Sequence, residues 1–157
     1  MGKHANLISV SSEIGRLRRL LVHSPDSGIG KVVPSKAQDW LFEDIVHLDT
    51  IRRKEYDFYT KILLYFLDPQ TIQGRLKSID AEKNNRSFYK PESSDFFRSD
   101  KVIELQWLLA EILEDLEIRL KLAASVCAIE NCSYDTQKEL LELDPIPLAK
   151  AFITGSL

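Results

Sequence analysis

Two short apolar runs with a helical pattern between them constrain this chain most. The first, Leu17 to Val22, contains β-branched Val22 and is ended by Ser24-Pro25. It predicts a strand buried on both faces. The second, Val102-Ile103-Glu104-Leu105, predicts another strand, with a helix start as the competing reading. Between them Leu48, Ile51, Phe58, Ile62 and Phe66 recur near the helical period, and Asp68-Pro69 closes the pattern. Asp49 or Thr50 is a candidate cap for that helix. A helical crossover joining two strands of one sheet implies parallel pairing.

The segment 68–100 differs in character. Pro69, Gly74, Asn84-Asn85, Pro91 and Ser93-Ser94 punctuate it, and its charge is high. A short helix from Pro69 to Ile79 fits its start, and the rest reads as a long surface loop, with 82–98 expected to be the most mobile stretch unless something covers it. Two aromatic pairs inside it, Phe88-Tyr89 and Phe96-Phe97, are candidates to dock it onto the remainder of the protein or onto a partner. Beyond it, helices are predicted over Trp107 to Glu114, Glu117 to Ile129 and Thr136 to Leu143, and a last one opened by Pro145 and ended by Gly155. Leu116 falls between the first two, and Ser133 or Asp135 is the candidate cap of the third. The fold class is α/β and mainly helical.

Composition narrows function by exclusion. The chain has 157 residues, the ordinary size of one domain, and 44% of them are apolar, enough for a core. The net charge is −3 with dispersed basic residues, which argues against a nucleic-acid partner. Arg16, Arg18 and Arg19 alternate with Leu17 and Leu20, and this basic run taken alone favours the other reading of the same strand, with one wet face, over a phosphate groove. No apolar run approaches a membrane span, the start Met1-Gly2-Lys3-His4 lacks a secretory core, and Asn6 stands where a myristoylation pattern wants Ser or Thr. A cytoplasmic protein is the expectation. Cys127 and Cys132 are too few for a disulfide scaffold, and their spacing is not that of a zinc site. No cofactor or metal is implied.

Four motifs stand in order: Ser12-Glu13-Ile14-Gly15-Arg16-Leu17, His23-Ser24-Pro25, Leu41-Phe42-Glu43-Asp44, and Leu143-Asp144-Pro145 through Ala149, Ala151 and Gly155. Together they resemble the opening of the arginine deiminase family, over most of 12–157 with an apparent insertion at about 68–100. Glu43 replaces the usual first Asp of the acidic pair, Asp26 the usual Gly, and Tyr56 the usual His after Glu55. The resemblance implies a pseudo-fivefold α/β propeller whose first β/α unit is 1–106, followed by an inserted helical subdomain, 107–157. It implies chemistry in which two carboxylates grip a guanidinium, a cysteine attacks its carbon and a His-x-Asp element assists. By the same comparison those groups lie beyond the end of this chain, so no catalytic residue is carried over. Leu41 matches a residue bordering the substrate, arginine or another guanidino compound, and Asp44 matches the acidic residue shaping that loop. The remaining part of the polypeptide, or a partner chain, would complete the site.

His47-Leu48-Asp49-Thr50 spells the family's His-x-Asp string, but it opens the first long helix, where Asp49 is better read as a cap. Cys127 lies among Ala123, Ala124, Val126 and Ala128, the setting of an inert structural thiol. Glu111, Glu114, Asp115 and Glu117 read as the solvated face of two helices. Three functions compete: part of a guanidine-modifying hydrolase or amidino-transfer enzyme, a non-catalytic helical interaction module, and a self-contained hydrolase using Cys127 and His47.

Overall fold

A computed structural model of the chain describes residues 12, 14–25, 50–82 and 85–155. Strand β1, Leu20–Val22, and strand β2, Val102–Glu104, pair in parallel, with Leu20 opposite Val102, Leu21 opposite Ile103 and Val22 opposite Glu104. Leu21 is 54% exposed, so one face of β1 is open. The expectation of burial on both faces is corrected: with only two strands described, elements pack on Val22 and Val102 and leave the alternate positions uncovered.

The connection between the strands begins with a π-helical segment, Ile51–Tyr56, that runs directly into α1, Asp57–Leu67. Asp57, Thr60 and Leu64 recur at helical spacing and form its buried side. Thr50 makes no side-chain cap bond, and Asp49 lies outside the described residues. Asp68 leaves helical geometry and Pro69 starts α2, Pro69–Ile72, because proline has no N–H to lose at a first turn. The single helix expected to Ile79 is broken. Gly74 takes φ +79, a left-handed conformation open to glycine, and α3 restarts as Leu76–Ala81.

The stretch expected to be a long surface loop is instead pinned to the first core. A 3₁₀ turn, Ser87–Tyr89, carries Phe88 inward, and Phe97 donates its backbone N–H to the Phe88 carbonyl at 3.0 Å. Phe88, Tyr89, Phe96 and Phe97 are all buried and pack with Val22, Leu64, Ile72 and Val102. Ring centroids lie 4.6 Å apart for Phe96 and Phe97 and 5.5 Å apart for Phe96 and Trp107. Each such side chain contributes roughly 1.5–3 kcal/mol by burial. That outweighs what Pro, Asn and Ser composition says about a loop.

A second core lies among four helices. They are α4, Leu105–Ile112; α5, Leu116–Glu130; α6, Tyr134–Glu142; and α7, Pro145–Thr154. Ala110, Leu113, Cys127, Leu140, Leu148, Ala149 and Ala151 fill it. Asp115 caps α5 by accepting the N–H of Glu117 at 2.9 Å and of Ile118 at 3.2 Å. The break therefore falls just before Leu116, which is helical. Ser133 caps α6 through the Thr136 N–H at 3.1 Å, and Gly155 ends α7 at φ +63. The architecture is mainly helical with a two-stranded parallel sheet. Among the described residues no helix is long and apolar enough to cross a membrane.

Candidate functional site at the carboxyl edge of the strand pair

Both strands end at the same edge, β1 at Val22 and β2 at Glu104. In open parallel sheets, ligands collect outside the carboxyl ends of the strands. Three polar residues meet here. Glu104 has a fully buried side chain whose Oε2 accepts the Trp107 N–H at 2.9 Å, making it the N-cap of α4. Its Oε1 accepts the Ser24 N–H at 3.3 Å and lies 3.5 Å from His23 Nδ1. One carboxylate thus ties the chain leaving β1 to the helix leaving β2. Its charge faces the positive end of the α4 dipole. His23 is about one-third exposed.

A second buried cluster lies where α1 meets the segment that carries Arg86. Arg86 donates from Nε to Asp57 Oδ2 and from Nη2 to Asp57 Oδ1, both at 2.7 Å. This bidentate fork is the strongest geometry available to a guanidinium and a carboxylate. Arg86 adopts φ +51, left-handed for a residue with a Cβ. The neighbouring Glu82 accepts the Ser87 N–H at 3.1 Å and its hydroxyl at 2.8 Å. Burial, then the negative charge of Glu104, holds the Tyr56 hydroxyl well above the usual phenol range. Burial, then Asp57, does the same for Tyr89. Both phenols stay neutral at ordinary pH. These groups fix structure: Asp57 already holds a guanidinium, and Glu104 already accepts two backbone N–H groups.

Two cavities open elsewhere. One of about 440 Å³ lies between α4 and α7 and is lined by Trp107, Ala110, Pro145 and Ile146 with Glu111 and Asp144. The other, about 890 Å³, lies at the amino edge of the strands beside Arg19, Asp68, Arg98 and Lys101. Neither is lined by a cysteine or histidine. Among the described residues no group of three or more His, Cys, Asp or Glu is placed to hold a metal.

Leu41 and Asp44, the residues expected to border a substrate, lie outside the described residues, as do Glu43, His47 and Asp49. Cys127 is on α5 at the second core, where burial and a hydrogen bond with Cys132 push its thiol up. Sequence reasoning missed Glu104, Asp57 and Arg86. A signal existed for Glu104, because an acidic residue closing an apolar run just before a helix is a cap candidate. None existed for the Asp57–Arg86 pair, whose members are 29 positions apart.

The parallel strand pair, its helical crossover and the polar carboxyl edge define an α/β unit of the kind that builds ligand sites at strand ends. Comparison with known proteins adds a relationship. The arginine deiminase of Pediococcus pentosaceus is 42% identical over 59 residues, 38% of this chain and 14% of that enzyme. That of Lactococcus lactis is 40% identical over 58 residues, 37% of this chain and 14% of that enzyme. That of Mycoplasma capricolum is 35% identical over 108 residues, 59% of this chain and 27% of that enzyme. The chain is arginine deiminase-like over these stretches, and it spans about a quarter or less of the length of these curated relatives. No family model matches, and no solved structure matches.

Proposed function

We propose that this chain is the opening part of an arginine deiminase-like hydrolase acting on the guanidino group of arginine or a related compound. The observation that carries the reading is the 35% identity over 108 residues to the Mycoplasma capricolum enzyme. A parallel β1–β2 pair with a helical crossover supports it as the first β/α unit of a propeller, over 1–106, with 107–157 as a helical subdomain. By the resemblance Leu41 borders the substrate and Asp44 shapes the surrounding segment, while Glu104 holds the chain leaving β1 through Ser24 and His23. The nucleophile, the guanidinium-gripping carboxylates and the acid–base residues come from further polypeptide or a partner chain. The reaction is attack of a cysteine thiolate on the guanidinium carbon, loss of ammonia and hydrolysis of the thiouronium intermediate. Transfer of the amidino group to an amine is the variant within this reading.

Citrulline and ammonia release is the test. The purified 157-residue chain is expected to give none, and a complete protein carrying it to turn over, with Asp44→Ala lowering that turnover. Turnover by the isolated chain that disappears in Cys127→Ala would overturn the proposal in favour of a self-contained hydrolase. One observation favours a second reading, a non-catalytic interaction module. Helix α1 is apolar on its outer side too, with Phe58 53% and Phe66 76% exposed. A complete protein that shows no turnover with any guanidino compound would favour it.

A further inference from the structure

We propose that Cys127 and Cys132 form a reversible thiol–disulfide site that staples the carboxyl end of α5. The site stands on the geometry of the helix end, independent of the hydrolase reading. Asn131 ends α5 in the left-handed conformation, φ 55 and ψ 40. Its N–H donates to the Cys127 carbonyl, and the Cys132 N–H donates to the same carbonyl at 2.9 Å. A helix end closed in this way brings the residue after the left-handed position back against the residue five before it, so that their side chains meet. Here both side chains are thiols. Both lie at the second core, Cys127 within it and Cys132 packed against it.

The Cys132 N–H lies 2.9 Å from the Cys127 carbonyl oxygen, so the two residues are neighbours at the helix end, and a disulfide bridges Cα atoms about 4.4–6.8 Å apart. Both cysteines are free in this structure, Cys127 buried and Cys132 half-buried. Cys132 is therefore the thiol that a reagent reaches, and Cys127 is the one that resolves.

With a low-molecular-weight disulfide as oxidant, the steps balance. The Cys132 thiolate attacks one sulfur of the small disulfide, its S–S bond breaks, and one small thiol leaves. The Cys127 thiolate then attacks Sγ of Cys132, the mixed disulfide breaks, and the second small thiol leaves. The protein loses two protons and two electrons, and the small disulfide gains them. Burial of Cys127 makes the second step the slow one near neutral pH and faster as pH rises, because the thiolate is the nucleophile. The staple fixes the turn between α5 and α6.

The test treats the 157-residue chain with glutathione disulfide and reads intact mass. The expected product is about 2 Da lighter than the starting chain, carries no glutathione, has no free thiol after denaturation and returns to the starting mass with dithiothreitol. Cys127→Ser is expected to stop at the mixed disulfide on Cys132. Cys132→Ser is expected to react at least about tenfold more slowly. Amide exchange at Asn131 and Cys132 is expected to slow about tenfold or more in the oxidised chain. A wild-type chain that retains both thiols, holds glutathione permanently on Cys132, or links to a second copy through sulfur would overturn the proposal. The mass of the wild-type chain decides the matter even if a variant does not fold.

Discussion

Glu104 closes β2 and opens α4 with one side chain. Removing its carboxylate leaves the Ser24 and Trp107 N–H groups without their acceptor beside a buried site. Glu104→Ala is expected to lower stability by roughly 2–4 kcal/mol, the sum of a lost cap and unsatisfied donors. Glu104→Gln keeps one acceptor oxygen and the shape, so its loss is expected to be smaller. Urea unfolding midpoints of the two variants check this, and an alanine variant as stable as the parent would sink it. The Asp57–Arg86 fork is the other residue-scale commitment. Both partners are almost fully buried, and deleting one takes the bidentate fork away from the other's buried charge. Arg86→Ala and Asp57→Ala are each expected to cost about 3–5 kcal/mol, and the double variant less than their sum. A double-mutant cycle that adds without coupling would contradict the pair's role in holding the 85–98 segment against α1.

Elements divide by whether their cause is local. The helices from α4 to α7 were legible because their end signals sit in the sequence next to them: Ser133, Pro145 and Gly155. Asp115→Ala should therefore cost about 1 kcal/mol, the usual value of an N-cap, because it leaves the Glu117 and Ile118 N–H groups open. An unchanged thermal midpoint would show that tertiary packing, and not the cap, sets the start of α5. Parallel pairing of the strands was legible from the apolar runs and the crossover between them. The docking of the 85–98 segment was not, because composition counts Asn, Ser and Pro but does not say that Phe88 and Phe97 meet. Gly74 was visible as punctuation, yet only its positive φ shows that it breaks one helix into two. The π-helical start before α1 has no sequence signature that periodicity detects. Of the candidate site, the strand ends were legible, whereas Glu104 read as strand interior until the fold put two N–H groups on its carboxylate.

On the scale of the whole molecule, the two cores are clasped by a contact far apart in sequence. Lys150 on α7 donates to Glu92, which precedes β2 in the chain, at 2.7 Å. Partial burial alone would raise the Glu92 carboxyl, but the bonds from Lys150 and Gln106 outweigh it and hold the carboxyl below its ordinary value of 4.5. A group with a lowered folded value contributes stability above its unfolded value and loses it on acidification through the folded one. Tyr56 and Tyr89 have the opposite sign. Their folded values lie above the ordinary 10.0 because burial penalises the phenolate. Their contribution is complete below pH 10.0 and is lost as pH rises beyond it. For these groups stability is level between about pH 4.5 and 10, with an acid limb from the clasp and an alkaline limb from the two phenols. Lys150→Met should flatten the acid limb and leave the alkaline one, and Tyr89→Phe should do the reverse. Thermal midpoints across the pH range read both limbs at once. An acid limb unchanged in Lys150→Met would show that the two cores do not depend on the clasp.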